Sequence, residues 1–371
     1  MRFFLASLFF TLSATLLFAG STSSDSMGLV KIPKLKALPK PVRAKDESKE
    51  AFLKRVRALH HERAKEMFPL QKEFRLAVED RNRRLLRGEV KQNPSLIDPF
   101  DPLFSAYKDV YQLQDVSHDL DDLLKSKQKQ YTDSKAWLFV VAIEEYKYAD
   151  PVLFARRTGE IVKATFQKKL EISERNIITL YNKEATVKNI NAQLRKLVRR
   201  IQRNDVIYFY YCGHGLSNKS GEELILPYDG MPDFTDSENT IEIERMYNKF
   251  LNSKALRTFS FIDASFNGIT DGAAIVKGVE NLDMRPRAEG YHKRLNILNG
   301  SRAQDTANAK FSNEFRLFSY YLVKEVLSEP ENAGTLFDSV RTLIRSASRD
   351  YGQDYLQEPE FFGYRELTIQ N

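Results

Sequence analysis

The stretch Asp205–Gly215, DVIYFYYCGHG, is an unbroken apolar and aromatic run closed by a histidine between two glycines. A short run rich in β-branched and aromatic residues, with no polar alternation, reads as a strand buried on both faces, the pattern of a parallel sheet covered by helices. Parallel neighbours need crossover connections, so helical segments should flank it. They do. Upstream lies a second continuous apolar strand, AWLFVVAI (Ala136 to Ile143), then an amphipathic helix from about Pro151 to Leu170. The strand NIITLYN follows, and then the helix ATVKNINAQLRKLVRRIQ, with Thr186 placed to cap its N-terminus. Downstream, EELILPYDG suggests a short hairpin arm, and Ile241 to Leu251 reads as a helix. RTFSFIDASFNG reads as a fourth strand ending in a tight glycine-terminated turn, and KRLNILNGS as a fifth. Helices near Asn313 to Leu327 and Thr335 to Ala347 close the chain. This alternation predicts an α/β domain over residues 133–371, a mostly parallel sheet flanked by helices on both faces. There is no internal repeat.

The preceding residues divide into three parts. Residues 1–20, MRFFLASLFFTLSATLLFAG, carry one early positive charge, a Phe/Leu-rich run and small residues at the end, the layout of a secretory signal peptide. Export to a periplasm or the exterior is the expectation. An uncleaved anchor stays open, because the apolar run of about 17 residues is at the short edge of what spans a bilayer. Residues 21–45 form a linker whose KIPKLKALPKPVRAK segment is proline-punctuated and basic, without an acid. It reads either as a semi-extended spacer or as a contact with lipid headgroups or a partner, a peripheral membrane or envelope role. Residues 46–132 predict a helical hairpin. Phe52, Val56, Leu59, Met67, Leu70, Phe74 and Ala77 recur near a helical period, Pro69 should end or kink that helix, and NPSLIDPFDP turns the chain. A second helix is expected over Ser105 to Lys129, carrying Val110, Leu113, Leu120 and Leu124, while His60 and His61 fall on the charged face of the first.

The composition narrows the function classes. A chain of 371 residues that is 42% hydrophobic and 12% aromatic can bury a large core and is not disordered. Its net charge of +7 comes from interleaved residues with no nucleic-acid motif, so no nucleic-acid partner is expected. The one cysteine, Cys212, allows no internal disulfide and no four-cysteine zinc site. No metal or cofactor is expected.

In a parallel sheet, functional groups gather at the carboxyl ends of the strands. Two neighbouring strand ends carry candidates: His214, and Asp263-Ala264-Ser265. A histidine base facing a hydroxyl nucleophile is the minimum kit for acyl transfer, although a histidine there can also simply cap the sheet. Cys212 lies on the same side of its strand as His214, about 6.5 to 7 Å away between Cα atoms, so it reads either as a displaced nucleophile or as a small buried hydrophobe. Asp229, in LPYDG, either shapes a cleft or serves its own Asp-Gly turn. His292 follows EGY in a loop and reads as surface.

These residues carry a resemblance. DVIYFYYCGHG resembles the D-x-v-x-f-Y-x-S-G-H-G strand of the caspase and metacaspase superfamily, and FIDASFNG resembles its D-[AS]-C-x-[SRN]-G nucleophile turn, about fifty residues downstream as in caspases. LFVVAIEEY, LYNKEATVKNINAQL and ILPYDG match further segments in order, so the likeness spans about Lys135 to Gly363. It implies His214 as general base, the backbone N–H groups of Gly215 and Ser265 as oxyanion donors, and Asp263 as a holder of a basic substrate side chain, with Asp229 bordering the cleft. It also places the nucleophile on Ser265, where the family has cysteine. The acid that would pair with Asp263 is missing, since ARRTGEIV puts Thr158 or Gly159 there. A hydroxyl needs a well-oriented base to lose its proton, whereas a thiol is partly ionised at neutral pH. The expectation is therefore a pseudo-peptidase that binds peptide or protein segments near His214 and Ser265. The alternative is an active endopeptidase using Ser265, or Cys212, with His214, cleaving after basic residues.

Overall fold

The computed structural model describes residues 120–125, 131–132, 134–270, 273–275, 293–302, 305–310, 313–349 and 356–369, with a few positions between 44 and 58. The expected signal segment, the linker, His60, His61, His292 and most of the helical hairpin lie outside the described residues. From the hairpin region, a helical turn at Asp122–Lys125 buries Leu120 and Leu123 against the core, and leaves Leu124 exposed. Of the apolar residues expected on the second helix, Leu120 is therefore buried and Leu124 is not, and Arg157 pairs with the adjacent Asp121 at 2.6 Å.

The main sheet contains β1 (Ala136–Ala142), β2 (Ile177–Tyr181), β3 (Val206–Cys212), β7 (Arg257–Asp263), β10 (Leu295–Asn299) and β13 (Glu360–Phe362), in the order β13-β10-β7-β3-β1-β2. All neighbours are parallel except β13, an antiparallel edge strand that the sequence reading did not anticipate. Helices α1 (Ala155–Lys169), α2 (Val187–Arg200), α3 (Ile243–Leu251), α4 (Leu317–Leu327) and α5 (Ala333–Arg349) cover it. The order requires β1→β2 and β2→β3 to cross in opposite directions, and right-handed crossovers then put α1 and α2 on opposite faces. Helices α4 and α5 join α1's layer, and α3 joins α2's. The expected mostly parallel sheet with helices on both faces is the observed architecture.

Four of the expected helices start elsewhere, α3 at Ile243 because Ile241–Glu242 pair with Leu224–Ile225 as a short strand. Helix α1 begins at Ala155 rather than Pro151 because Phe154, at φ 65°, closes a loop that is committed to other contacts. Helix α4 begins at Leu317 because Phe315–Arg316 form β12, paired with β11 (Ala309–Lys310). Helix α5 starts slightly early, at Ala333. Helix α2 starts as expected, with Thr186 Oγ1 accepting the Asn189 N–H at 3.1 Å. The hairpin arm becomes a small antiparallel sheet of β4 (Gly215–Ser217), β5 (Glu223–Ile225) and β6 (Ile241–Glu242). A final pair, β8 (Ile269–Thr270) and β9 (Ala273–Ala274), follows β7.

Strand β3 is buried along its whole length, which explains its composition. Its tyrosines place their rings in the core and satisfy their hydroxyls locally, as buried phenols must. Tyr208 bonds the Ile369 carbonyl, Tyr210 bonds Ser319 Oγ at 2.6 Å, and Tyr211 donates to the His214 carbonyl at 2.6 Å. Burial pushes all three phenols above their usual range. The direction of the strand therefore fixes where its last residue delivers His214.

Candidate functional site

The connection leaving β1 runs toward one edge of the sheet and the one leaving β3 toward the other, so the loops leaving those two strands flank a topological switch point, where open parallel sheets present their functional groups. His214 stands at the end of β3, and the loop at 143–154 stands at the end of β1. Three hydrogen bonds join the strand ends, Ile143 N–H to the Cys212 carbonyl at 2.9 Å, Gly213 N–H to the Asp263 carbonyl at 3.4 Å and Gly300 N–H to the Ile262 carbonyl at 2.7 Å. Asn182, itself at φ 46°, accepts the N–H groups of Glu144 and Glu145, and Lys147 N–H reaches the Tyr228 carbonyl. The loop is thereby clamped over the histidine.

Both glycines around His214 are required by close approach. A Cβ at Gly213 would run into the hydroxyls of Tyr146 and Tyr211, and one at Gly215 would run into the Ser265 carbonyl and the Phe266 ring. Those same tyrosines hold the turn. His214 N–H donates to Tyr146 Oη at 2.8 Å, and the Tyr146 ring lies 4.7 Å from the imidazole. The His214 carbonyl also accepts Leu226 N–H at 3.1 Å.

His214 is 2% exposed, and both ring nitrogens are engaged. Nε2 lies 2.5 Å from the Asp150 carbonyl oxygen, and Nδ1 lies 3.0 Å from Thr270 Oγ1. A carbonyl only accepts, so Nε2 carries the proton, Nδ1 carries the lone pair, and Thr270 donates to it. Burial, assisted by the nearby Arg316 charge and opposed by the Asp150 carbonyl, lowers the His214 pKa from about 6.5 to about 4. His214 is neutral at physiological pH.

Ser265 is wholly buried, and its hydroxyl donates to the Ile269 carbonyl. No hydrogen bond links it to His214. The two main candidates thus stand at adjacent strand ends, with Gly215 packed on the Ser265 carbonyl, but their polar atoms point to different partners. Cys212 is buried, and its thiol is pushed well above its usual pKa, first by burial and then by Asp263. A thiol in that state is not a poised nucleophile.

Asp263 does not line an open cleft. It is fully buried, and its Oδ2 accepts both the N–H (3.1 Å) and the hydroxyl (2.6 Å) of Ser319 in the first turn of α4. Asp229 likewise bonds a helix start, Oδ1 accepting Val187 N–H at 2.9 Å, a role beyond its own turn. Thr158 Oγ1 accepts the Arg316 N–H, and Gly159 packs so closely on β1 that a Cβ would lie 2.5 Å from that of Ala142. Three groups at the site were missed by sequence reasoning: the Asp150 carbonyl, Thr270, and the fully buried Arg316, whose Nη2 bonds the Ala307 carbonyl at 2.7 Å. Arg316 had a signal, a lone cation inside FRLFSYYLV; a backbone carbonyl has none. Among the described residues no group of three or more His, Cys, Asp or Glu could hold a metal ion, and no helix is long and apolar enough to cross a membrane.

Comparison with known proteins gives a family match over part of the chain. Residues 158–249 match the metacaspase, peptidase C14 domain, a span that includes His214 and ends before Ser265. No curated protein matches the sequence. Among solved structures, the chain is similar to protein GSU0716 from Geobacter sulfurreducens, with a TM-score of 0.45 and 14% identity over 63% of this chain and 97% of that one. It is also similar to caspase-1 from Spodoptera frugiperda, with a TM-score of 0.48 and 12% identity over 66% of this chain and 93% of that one. The family match supports a caspase-like peptidase fold, while the roles of individual residues rest on the geometry above.

Proposed function

We propose that this protein is an exported caspase-like pseudo-peptidase, which binds peptide or protein segments near the His214 loop without cleaving them. One observation carries the reading: His214 Nδ1 and Ser265 Oγ, the atoms that would have to exchange a proton, are bonded to Thr270 and Ile269 instead of to each other. Acyl transfer by a hydroxyl needs that proton removed as the new bond forms. The family's cysteine would not need it to the same degree, so the serine at position 265 weighs in the same direction. Incubation of the purified protein with fluorogenic Arg and Lys peptide libraries tests the reading. The expected result is no turnover above background. Turnover that disappears in both Ser265→Ala and His214→Ala would overturn it in favour of an active endopeptidase.

A further inference from the structure

The residues that hold His214 and Ser265 apart are consecutive. The Ile269 carbonyl accepts a hydrogen bond from the Ser265 hydroxyl, and the Thr270 hydroxyl occupies the His214 lone pair at 3.0 Å. Both belong to the two-residue strand β8, held in place by pairing with Ala273–Ala274 and by a bridge from Thr270 to Ala307. The turn is closed from the other side as well, since Asn267 Oδ1 accepts the Ile269 N–H at 2.9 Å. A threonine suits such a place, because its stiff β-branched side chain offers a hydroxyl in few orientations.

We propose that β8 is an internal plug and that Thr270 is a positioning residue, whose hydroxyl occupies the basic nitrogen of His214 and keeps it from acting on position 265. This rests on the pseudo-peptidase reading and deepens it: the site is silenced by an engaged base as well as by a weak nucleophile. The Asp150 carbonyl leaves the base correctly oriented, with Nε2 protonated and Nδ1 facing inward. Removal of one hydroxyl would then leave Nδ1 able to take up a proton from a thiol placed at position 265.

The test compares the full-length Ser265→Cys variant with the double variant Ser265→Cys/Thr270→Val, in which valine keeps the shape of threonine and removes its hydroxyl. The readout is the pH midpoint of thiolate ultraviolet absorbance, which needs no reagent to reach the buried position 265, with the wild type subtracted to remove Cys212 and the tyrosines. The other groups around the pair, Tyr146, Tyr211, Cys212, Asp263 and Arg316, are the same in both proteins. We expect the thiolate midpoint to fall by about one pH unit or more in the double variant, as a thiolate–imidazolium pair becomes accessible. Adding Thr270→Ser in place of Thr270→Val should restore the higher midpoint. Equal midpoints in all three proteins would overturn the plug and leave the pseudo-peptidase reading standing. Wild-type turnover would remove that reading while leaving the midpoint comparison intact. Should valine prevent folding, the ¹⁵N spectrum of the His214 ring in the wild type decides: a hydrogen-bonded, unprotonated Nδ1 supports the plug, and a protonated Nδ1 overturns it.

Discussion

Cys212 and Asp263 are register partners on the neighbouring parallel strands β3 and β7, both wholly buried one residue short of the turns that follow. The carboxylate adds to the burial that already holds the thiol protonated. In the native protein Cys212 should therefore react with a disulfide reagent at pH 8 no faster than the protein opens, and should react fully once denatured. Rapid native-state labelling with loss of any peptidase activity would restore Cys212 as a displaced nucleophile.

Asp263 is the clearest case in which a residue of the expected substrate pocket turns inward. Its Oδ2 satisfies the N–H and hydroxyl of Ser319, so Asp263→Ala leaves buried donors without an acceptor and should cost about 1–3 kcal/mol. Asp263→Asn keeps an acceptor oxygen and should cost less. Urea unfolding separates the roles, because an anchor for a basic ligand would change binding and leave stability nearly untouched.

How much of this was legible follows from which contacts are local. Strands β1 and β3 could be read because each is a continuous apolar run, the other three parallel strands because short apolar or β-branched stretches alternate with helical segments, and Thr186 because a helix cap is a matter of adjacent residues. Strand β13 could not, since EFF is three residues long and gains its place only by pairing with β10. The partner of Asp263 lies 56 residues away, and no short-range pattern announces it. Thr270 stands in NGITDG, which reads as a turn, and its contact with His214 also spans 56 residues. The sequence could show which residue types meet at the strand ends, but not which of their atoms face each other.

Gly215 offers a steric test of the turn. The added methyl of Gly215→Ala would press on the Ser265 main chain and the Phe266 ring, and backbone on backbone has little room to yield. Overpacking of this kind costs about 1–3 kcal/mol. For a domain of this size that corresponds to a fall in Tm of about 2–4 °C per kcal/mol. An unchanged Tm by calorimetry would mean that the two strand ends are further apart than described.

The depressed pKa of His214 makes a prediction about stability and pH. In the unfolded chain His214 titrates near its ordinary value of about 6.5, and in the folded protein near about 4, so between those values the unfolded state binds the additional proton. Stability from this residue is fully present above about pH 6.5, falls as pH drops toward about 4, and is level below that. The loss across the window is on the order of 3 kcal/mol. Other groups titrate in the same range, so the informative quantity is a difference: urea unfolding of the wild type and of His214→Gln at a series of pH values. The wild type should lose stability faster than the variant as pH falls from about 6.5 to about 4, and the two should run parallel above neutral pH. Parallel curves throughout would place the His214 ring in contact with solvent, and would take the engaged base and its neutral tautomer with it.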